Sequence, residues 1–264
     1  MAITTLDGAL AGMQYPREII KVVTPTLVVG RPHSLFYLAG NPGAAVAPTP
    51  GLGGAALTTY LGQIPFTNPV AGNTYLGRLF LFTSQVATGQ YFLLDRLWHN
   101  SGITITQITA QTINSVAWPA RSADGTVNGG QVLIGVEVSG ATGAGTPTLT
   151  ISYTNQAGTS GKTGTNVVPT VASSAIGAFY PIGLAAGDTG VRSIQTFTLS
   201  ATWTSGTIHL VAYRVLARIP NGSIVDALTS GFPRLFDNSV PFVLYQPAAT
   251  TAVATAGHVI WTQG

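Results

Sequence analysis

Apolar and polar residues alternate along much of this chain. Over residues 131–153, Val132, Ile134, Val136 and Val138 fall on one side, and Leu133, Gly135, Glu137 and Ser139 on the other. After a G-A-T-G-A-G stretch the alternation resumes, with Leu149, Ile151 and Tyr153 against Thr148, Thr150 and Ser152. Successive side chains leave a pleated strand on opposite sides, so period two marks a strand with one buried face. Two such runs across a Gly-rich loop predict a β-hairpin at the centre of an all-β domain. Residues 191–202 and 207–219 predict a second hairpin across T-S-G. In it Phe197, Leu199, Ala201 and Trp203 alternate with Thr198, Ser200 and Thr202.

Residues 75–82, 90–97, 103–108, 240–245 and 258–262 read as further strands, which makes about nine in all. Residues 223–228 predict one helical turn closed near Gly231. No helical pattern separates the strands, so a parallel α/β fold is disfavoured. The expectation is an all-β chain, an antiparallel β-sandwich of jelly-roll type over residues 73–264.

Residues 1–72 differ. Thr5 is placed to cap a short helix through Leu10, stopped by Gly12. Residues 40–54 carry Pro and Gly at a density that sustains neither helix nor central strand. The segment reads as an extended N-terminal arm with possible edge strands. Ile19, Ile20, Val22, Val23, Leu27, Val28, Leu35, Phe36, Tyr37 and Leu38 are too apolar for a disordered tail. They are the candidate contacts to an adjacent subunit or shell, with Arg17, Lys21 and Arg31 adding charge. On this reading the body folds without the arm.

Composition narrows the partners. Charged residues are only 7% of the 264, against about 25% in an ordinary soluble domain. Obligate interfaces carry few charges, so low charge predicts surface covered by other subunits. The expected state is a homo-oligomer, a trimer favoured. No apolar run approaches the roughly 18 residues of a spanning helix, and Pro interrupts the strands too often for an outer-membrane barrel, so no membrane partner is expected. The net charge of +3 comes without a Lys/Arg cluster, so nucleic acid is not an expected partner either. There is no Cys, which excludes disulfides and cysteine-ligated zinc. The start lacks the pattern of a secretory signal, which predicts folding in a cytoplasm.

No motif carries a catalytic, cofactor or metal assignment. Gly158-Thr159-Ser160-Gly161-Lys162-Thr163 imitates the end of a phosphate-binding loop, but Gln156 stands where a glycine is needed and no helix pattern follows. The Gly140–Gly145 stretch lacks dinucleotide spacing. His33, His99, His209 and His258 show no metal-ligand spacing and read as structural. Asp95-Arg96-Leu97-Trp98-His99-Asn100 is the densest polar-aromatic cluster, read as a neighbouring salt pair at a strand end. Nothing selects a glycosidase pair from the eight carboxylates. Trp98, Trp118, Trp203 and Trp261, with the nine Tyr, are candidates for a sugar-binding face, but aromatics in a sandwich more often fill the core.

The Ala/Gly/Thr/Val-rich, cysteine-free, low-charge chain, with its Pro/Gly-rich arm and strands such as 197–203 and 208–219 joined by Thr/Ser/Gly turns, resembles virion structural proteins of tailed bacteriophages. The resemblance implies a non-enzymatic capsid decoration or cement protein, made in the host bacterial cytoplasm and resident in the virion. Its implied partners are its own copies, the major capsid protein and other virion proteins. The alternative is a carbohydrate- or receptor-binding sandwich module of a phage tail or head fibre.

Overall fold

The computed structural model describes residues 3–85, 87–226 and 231–264. It is nearly all β, with 42% of residues in strands and 4% in helix. Helix α1 (Leu6–Ala11) opens the chain; the Thr5 hydroxyl accepts from the Gly8 amide at 3.0 Å, and Gly12 ends it. Four short strands follow, β1 (Arg17–Lys21), β2 (His33–Ser34), β3 (Gly40–Asn41) and β4 (Ala55–Ala56), with a 3-10 turn at Leu35–Tyr37. The body begins with β5 (Thr74–Thr83), β6 (Gly89–His99), β7 (Gln111–Thr112), β8 (Val132–Gly140) and β9 (Leu149–Asn155). It continues with β10 (Lys162–Asn166), β11 (Phe179–Gly183), β12 (Val191–Leu199) and β13 (Thr207–Pro220). Last come β14 (Ile224–Asp226), β15 (Arg234–Leu235), β16 (Pro241–Pro247) and β17 (Thr255–Gln263).

These strands form two curled antiparallel sheets packed as a sandwich, as the alternation predicts. The smaller sheet has the order β14-β5-β17-β1-β3, with β15 also on β5. The larger has the order β2-β16-β6-β13-β8-β11-β10-β9-β12-β7, with β4 also on β6. Within the larger sheet, β2 hydrogen-bonds on both sides. Ser34 pairs with Leu244 of β16, while the Ser34 amide donates to the Gly177 carbonyl at 2.6 Å and the Phe179 amide to the Pro32 carbonyl at 3.0 Å. Residues 32–34 thereby close β2, β16, β6, β13, β8 and β11 into a ring. Leu94, Phe179, Val211, Tyr213, Phe242 and Leu244 fill its interior.

Two further cores lie outside this barrel. On one flank β9, β10 and β12 fold over β8 and β13, so that Leu149, Ile151, Phe197 and Leu199 meet Ile134, Val136, Ile208 and Leu210. On another flank the smaller sheet lays Ile19, Leu79, Leu81, Val259 and Trp261 onto Tyr91, Leu93, Ile219 and Val243. Strand β13 serves both. A register shift against β6 between Val215 and Ala217 leaves Leu216 as an extra residue, so Leu216 and Ala217 both join the second core.

The sheet connectivity departs from the sequence reading in a consistent way. Strands β8 and β9 are not a hairpin: β8 pairs with β11 and β13, and β9 with β10 and β12. Strands β12 and β13 likewise do not pair with each other. Both connections are arches that carry the chain from one layer to the facing one. Alternation reports which side chains face the core, and a hairpin and an arch satisfy it equally. Residues 103–108 form no strand, although Ile103 and Ile105 are buried; the short pairing there is β7. Of the helical turn expected at 223–228, residues 224–226 are strand β14, and residues 227 and 228 lie outside those described.

Gly135 sits in β8 on the barrel interior, where a Cβ would lie 2.2 Å from the Phe179 ring. Gly135→Ala is therefore expected to destabilise the fold by about 1–3 kcal/mol through overpacking. Adding Phe179→Leu should recover part of that loss in urea unfolding.

Candidate functional site

The barrel has a polar end, and three neighbouring strands build it. Alternation turns Arg96 of β6, His209 of β13 and Glu137 of β8 inward. The Arg96 Nη1 donates to Glu137 Oε2 at 2.6 Å, and His209 Nε2 lies 2.8 Å from the same oxygen and 2.9 Å from Arg96 Nη2. The Tyr37 hydroxyl closes the group from the 3-10 turn, 3.2 Å from His209 Nε2 and 3.4 Å from Glu137 Oε2. The Arg96 guanidinium also lies 4.8 Å from the Phe36 ring centroid, and Tyr60 meets His99 edge-on at 4.6 Å.

Arg96 and Glu137 are fully buried. Burial works to raise the Glu137 pKa, but the Arg96 charge and the His209 hydrogen bond outweigh it and hold the carboxyl far below its ordinary range. Burial, reinforced by Arg96, pushes His99 down to about 2 and lowers His209, while burial and Arg31 push His33 down to about 4. The histidines are thus neutral at pH 7 around one ion pair. Tyr37 and Phe36 lie over this group. The group ties the 3-10 turn to the barrel end through the Tyr37 hydroxyl.

A second buried ion group occupies the other face of β6. Arg121 Nε lies 3.2 Å from Asp95 Oδ2, and Asp95 also accepts from Ser239 Oγ at 3.0 Å and the Val240 amide at 2.8 Å. The expected Asp95–Arg96 pair does not form, because neighbours in a strand point to opposite faces. The long-range partners Glu137, His209 and Arg121 were not legible from that cluster; no local spacing links them. Lys162 of the Gly-Lys-Thr stretch opens strand β10, and no helix follows it. All four Trp are buried and belong to the core, while of the Tyr candidates Tyr15 is exposed. Among the described residues no group of His, Asp or Glu is arranged to hold a metal, and no helix is long and apolar enough to cross a membrane.

The candidate contact residues of the N-terminal segment divide. Ile19, Leu27, Leu35 and Phe36 are buried inside this chain and are not available to a neighbour. The reason is pairing: β1 lies between β17 and β3, and residues 32–34 are part of the barrel wall. Val28, Tyr37 and Leu38 are half-buried, while Ile20, Val22 and Val23 are exposed. Two of the expected charge contacts are internal as well. Arg31 Nη1 donates to the Tyr180 hydroxyl at 3.0 Å. Lys21 Nζ donates to the carbonyls of Leu38, Pro42 and Gly43 at 3.0, 2.5 and 3.4 Å, and burial pulls its pKa down to about 8. The Pro/Gly-rich stretch is thus tied to β1.

Ile20 belongs to an apolar surface missed in the sequence reading. It lies on the outer face of the smaller sheet, in register with Ala256 and Phe82 across β1, β17 and β5. The next row runs Glu18, His258, Phe80 and Ile224. Phe80 and Phe82 are 5.5 Å apart, and Ile20, Phe82 and Ile224 are 47%, 39% and 51% exposed. The signal was the run Leu79-Phe80-Leu81-Phe82, which does not alternate. A strand apolar on both sides is normally covered on both sides.

No family model, curated protein or solved structure matches this chain.

Proposed function

We propose that this chain is a non-enzymatic structural subunit that assembles with copies of itself through the outer face of the smaller sheet. One observation carries the reading: β5 presents Leu79 and Leu81 to the core and Phe80 and Phe82 outward, where they join Ile20 and Ile224 in an apolar patch bordered by Glu18 and Arg78. An exposed contiguous apolar patch marks an interaction site, and a subunit surface poor in charge fits repeated contact. The more specific form is a capsid decoration or cement protein of a tailed bacteriophage, seated on the major capsid protein in the virion. It rests on the compositional resemblance given above.

The test is the oligomeric state. Wild-type protein is expected to sediment as an oligomer, with a trimer favoured. Ile20→Lys with Phe82→Glu should give a monomer of unchanged circular dichroism, since exposed substitutions alter stability by only about 0.5 kcal/mol. A monomeric wild type, or a double variant that still assembles, overturns the reading.

A further inference from the structure

We propose that the end of the barrel opposite the ion cluster is a binding site for a small amphipathic carboxylate, with its apolar body inside and its carboxylate on Arg218. The two ends of the barrel differ. One is plugged by Phe36 and Tyr37 over the Arg96–Glu137–His209 group. The other opens into a pocket of about 250 Å³. Five strands of the ring contribute to its wall, through Phe92, Leu133, Pro181, Tyr213 and Leu244, and Pro32 adds to it just before β2. The volume exceeds the roughly 150 Å³ of a cavity that takes a benzene ring, and barrel mouths are recurrent sites for small ligands.

Three polar side chains, Arg218, Tyr213 and Gln246, stand at an otherwise apolar site. Arg218 lies at the rim with its guanidinium 4.5 Å from the Phe92 ring centroid, and among the described residues it makes no ion pair. A planar guanidinium held against an aromatic ring is suited to bidentate capture of a carboxylate. Tyr213 also lines the pocket, and its hydroxyl makes no hydrogen bond among the described residues. Gln246, by contrast, is satisfied: its amide donates to the Gly30 carbonyl at 2.7 Å and its oxygen accepts from Gln90 at 2.5 Å. Ring closure also narrows the class of ligand. Strands paired on both sides leave no free edge for a peptide backbone to extend. A ligand entering along the barrel axis must go in by an apolar end, which describes a short acyl or aryl acid.

The test uses octanoate and octan-1-ol as probes of the full chain, followed by methyl NMR. Octanoate at millimolar concentration should shift the Leu94, Leu133 and Leu244 methyls in a saturable way. Arg218→Gln should weaken octanoate about tenfold, the loss of one charge-assisted hydrogen bond, and leave octanol binding unchanged. Val215→Trp, a change at an exposed rim position, should abolish binding of both. Absence of saturable shifts overturns the proposal. So does an Arg218→Gln variant with wild-type octanoate affinity, or shifts that persist in Val215→Trp.

Discussion

Deletion of residues 1–54 is expected to leave a chain that does not fold. The deletion removes β1, and with it the strand that covers the edge of β17. It removes residues 32–34, which reopens the barrel between β16 and β11. It also removes Ile19, Leu27, Leu35 and Phe36 from the core. At roughly 1.5–3 kcal/mol for each large apolar side chain, these four account for about 6–12 kcal/mol. A whole domain is stable by only about 5–15 kcal/mol. The loss of Phe36 and Tyr37 further uncovers a buried ion pair. A shorter deletion, residues 1–12, is the control. It takes away α1, whose Leu6 and Leu10 are half exposed, together with the hydrogen bond from Thr262 Oγ1 to the Ala9 carbonyl at 2.6 Å and those to the Gly12 carbonyl from the Gln263 amide at 2.9 Å and Gln14 Nε2 at 3.0 Å. That protein should retain a cooperative thermal transition. A cooperative transition in the 55–264 fragment would show instead that the segment is a separable arm.

How much of this was legible depends on the range over which each feature is encoded. The inward sets of β8 and β9, and Phe197 and Leu199 of β12, follow from alternation alone, and the helix at residues 6–11 from its Thr cap and Gly stop. Those signals are local. Val191 and Ile194 are instead set inward by the two register shifts of β12 against β9. Whether the strands of Val138 and Leu149 pair directly or face each other across the curl of the larger sheet is not local, because Val132 to Val138 and Leu149 to Tyr153 face a common core in either case. Barrel closure rests on the two-residue strand His33–Ser34, too short to show a period. The apolarity of residues 19–38 was visible, but not its destination: it divides between this chain's own core and an exposed face. The ion group joins Arg96, Glu137 and His209 across strands. Glu137 stood out only as a charge within a valine-rich strand, on the side away from Val136 and Val138. The strongest missed signal was the Leu-Phe-Leu-Phe run of β5, whose failure to alternate is itself the information.

Arg96→Met is expected to be the most damaging single substitution in the barrel. It leaves Glu137 buried without its principal counter-charge, a change that typically costs about 3–5 kcal/mol. The double variant Arg96→Met with Glu137→Leu should recover most of that loss, because replacing both partners leaves no uncompensated charge. The pH dependence identifies the cause. In the wild type, Glu137 has a depressed pKa, so its contribution is present above the carboxylate's unfolded value and is lost only in strong acid. The histidines act at higher pH. His33, His99 and His209 titrate lower in the folded chain than in the unfolded one, so the unfolded state takes up protons first. Wild-type stability should therefore fall as pH drops from about 6.5 towards 4, by up to about 1.4 kcal/mol per pH unit for each histidine. In Arg96→Met the sign for Glu137 reverses. Burial now dominates, the folded carboxyl binds a proton more readily than the unfolded one, and the penalty is relieved on acidification. The gap between wild type and variant should thus be largest near pH 7 and shrink below about pH 5. Urea unfolding of the four proteins of the cycle at pH 7 and pH 5 measures both quantities. A gap that is constant with pH would mean that Arg96 stabilises the barrel by packing on Phe36 and Phe242 rather than by its charge.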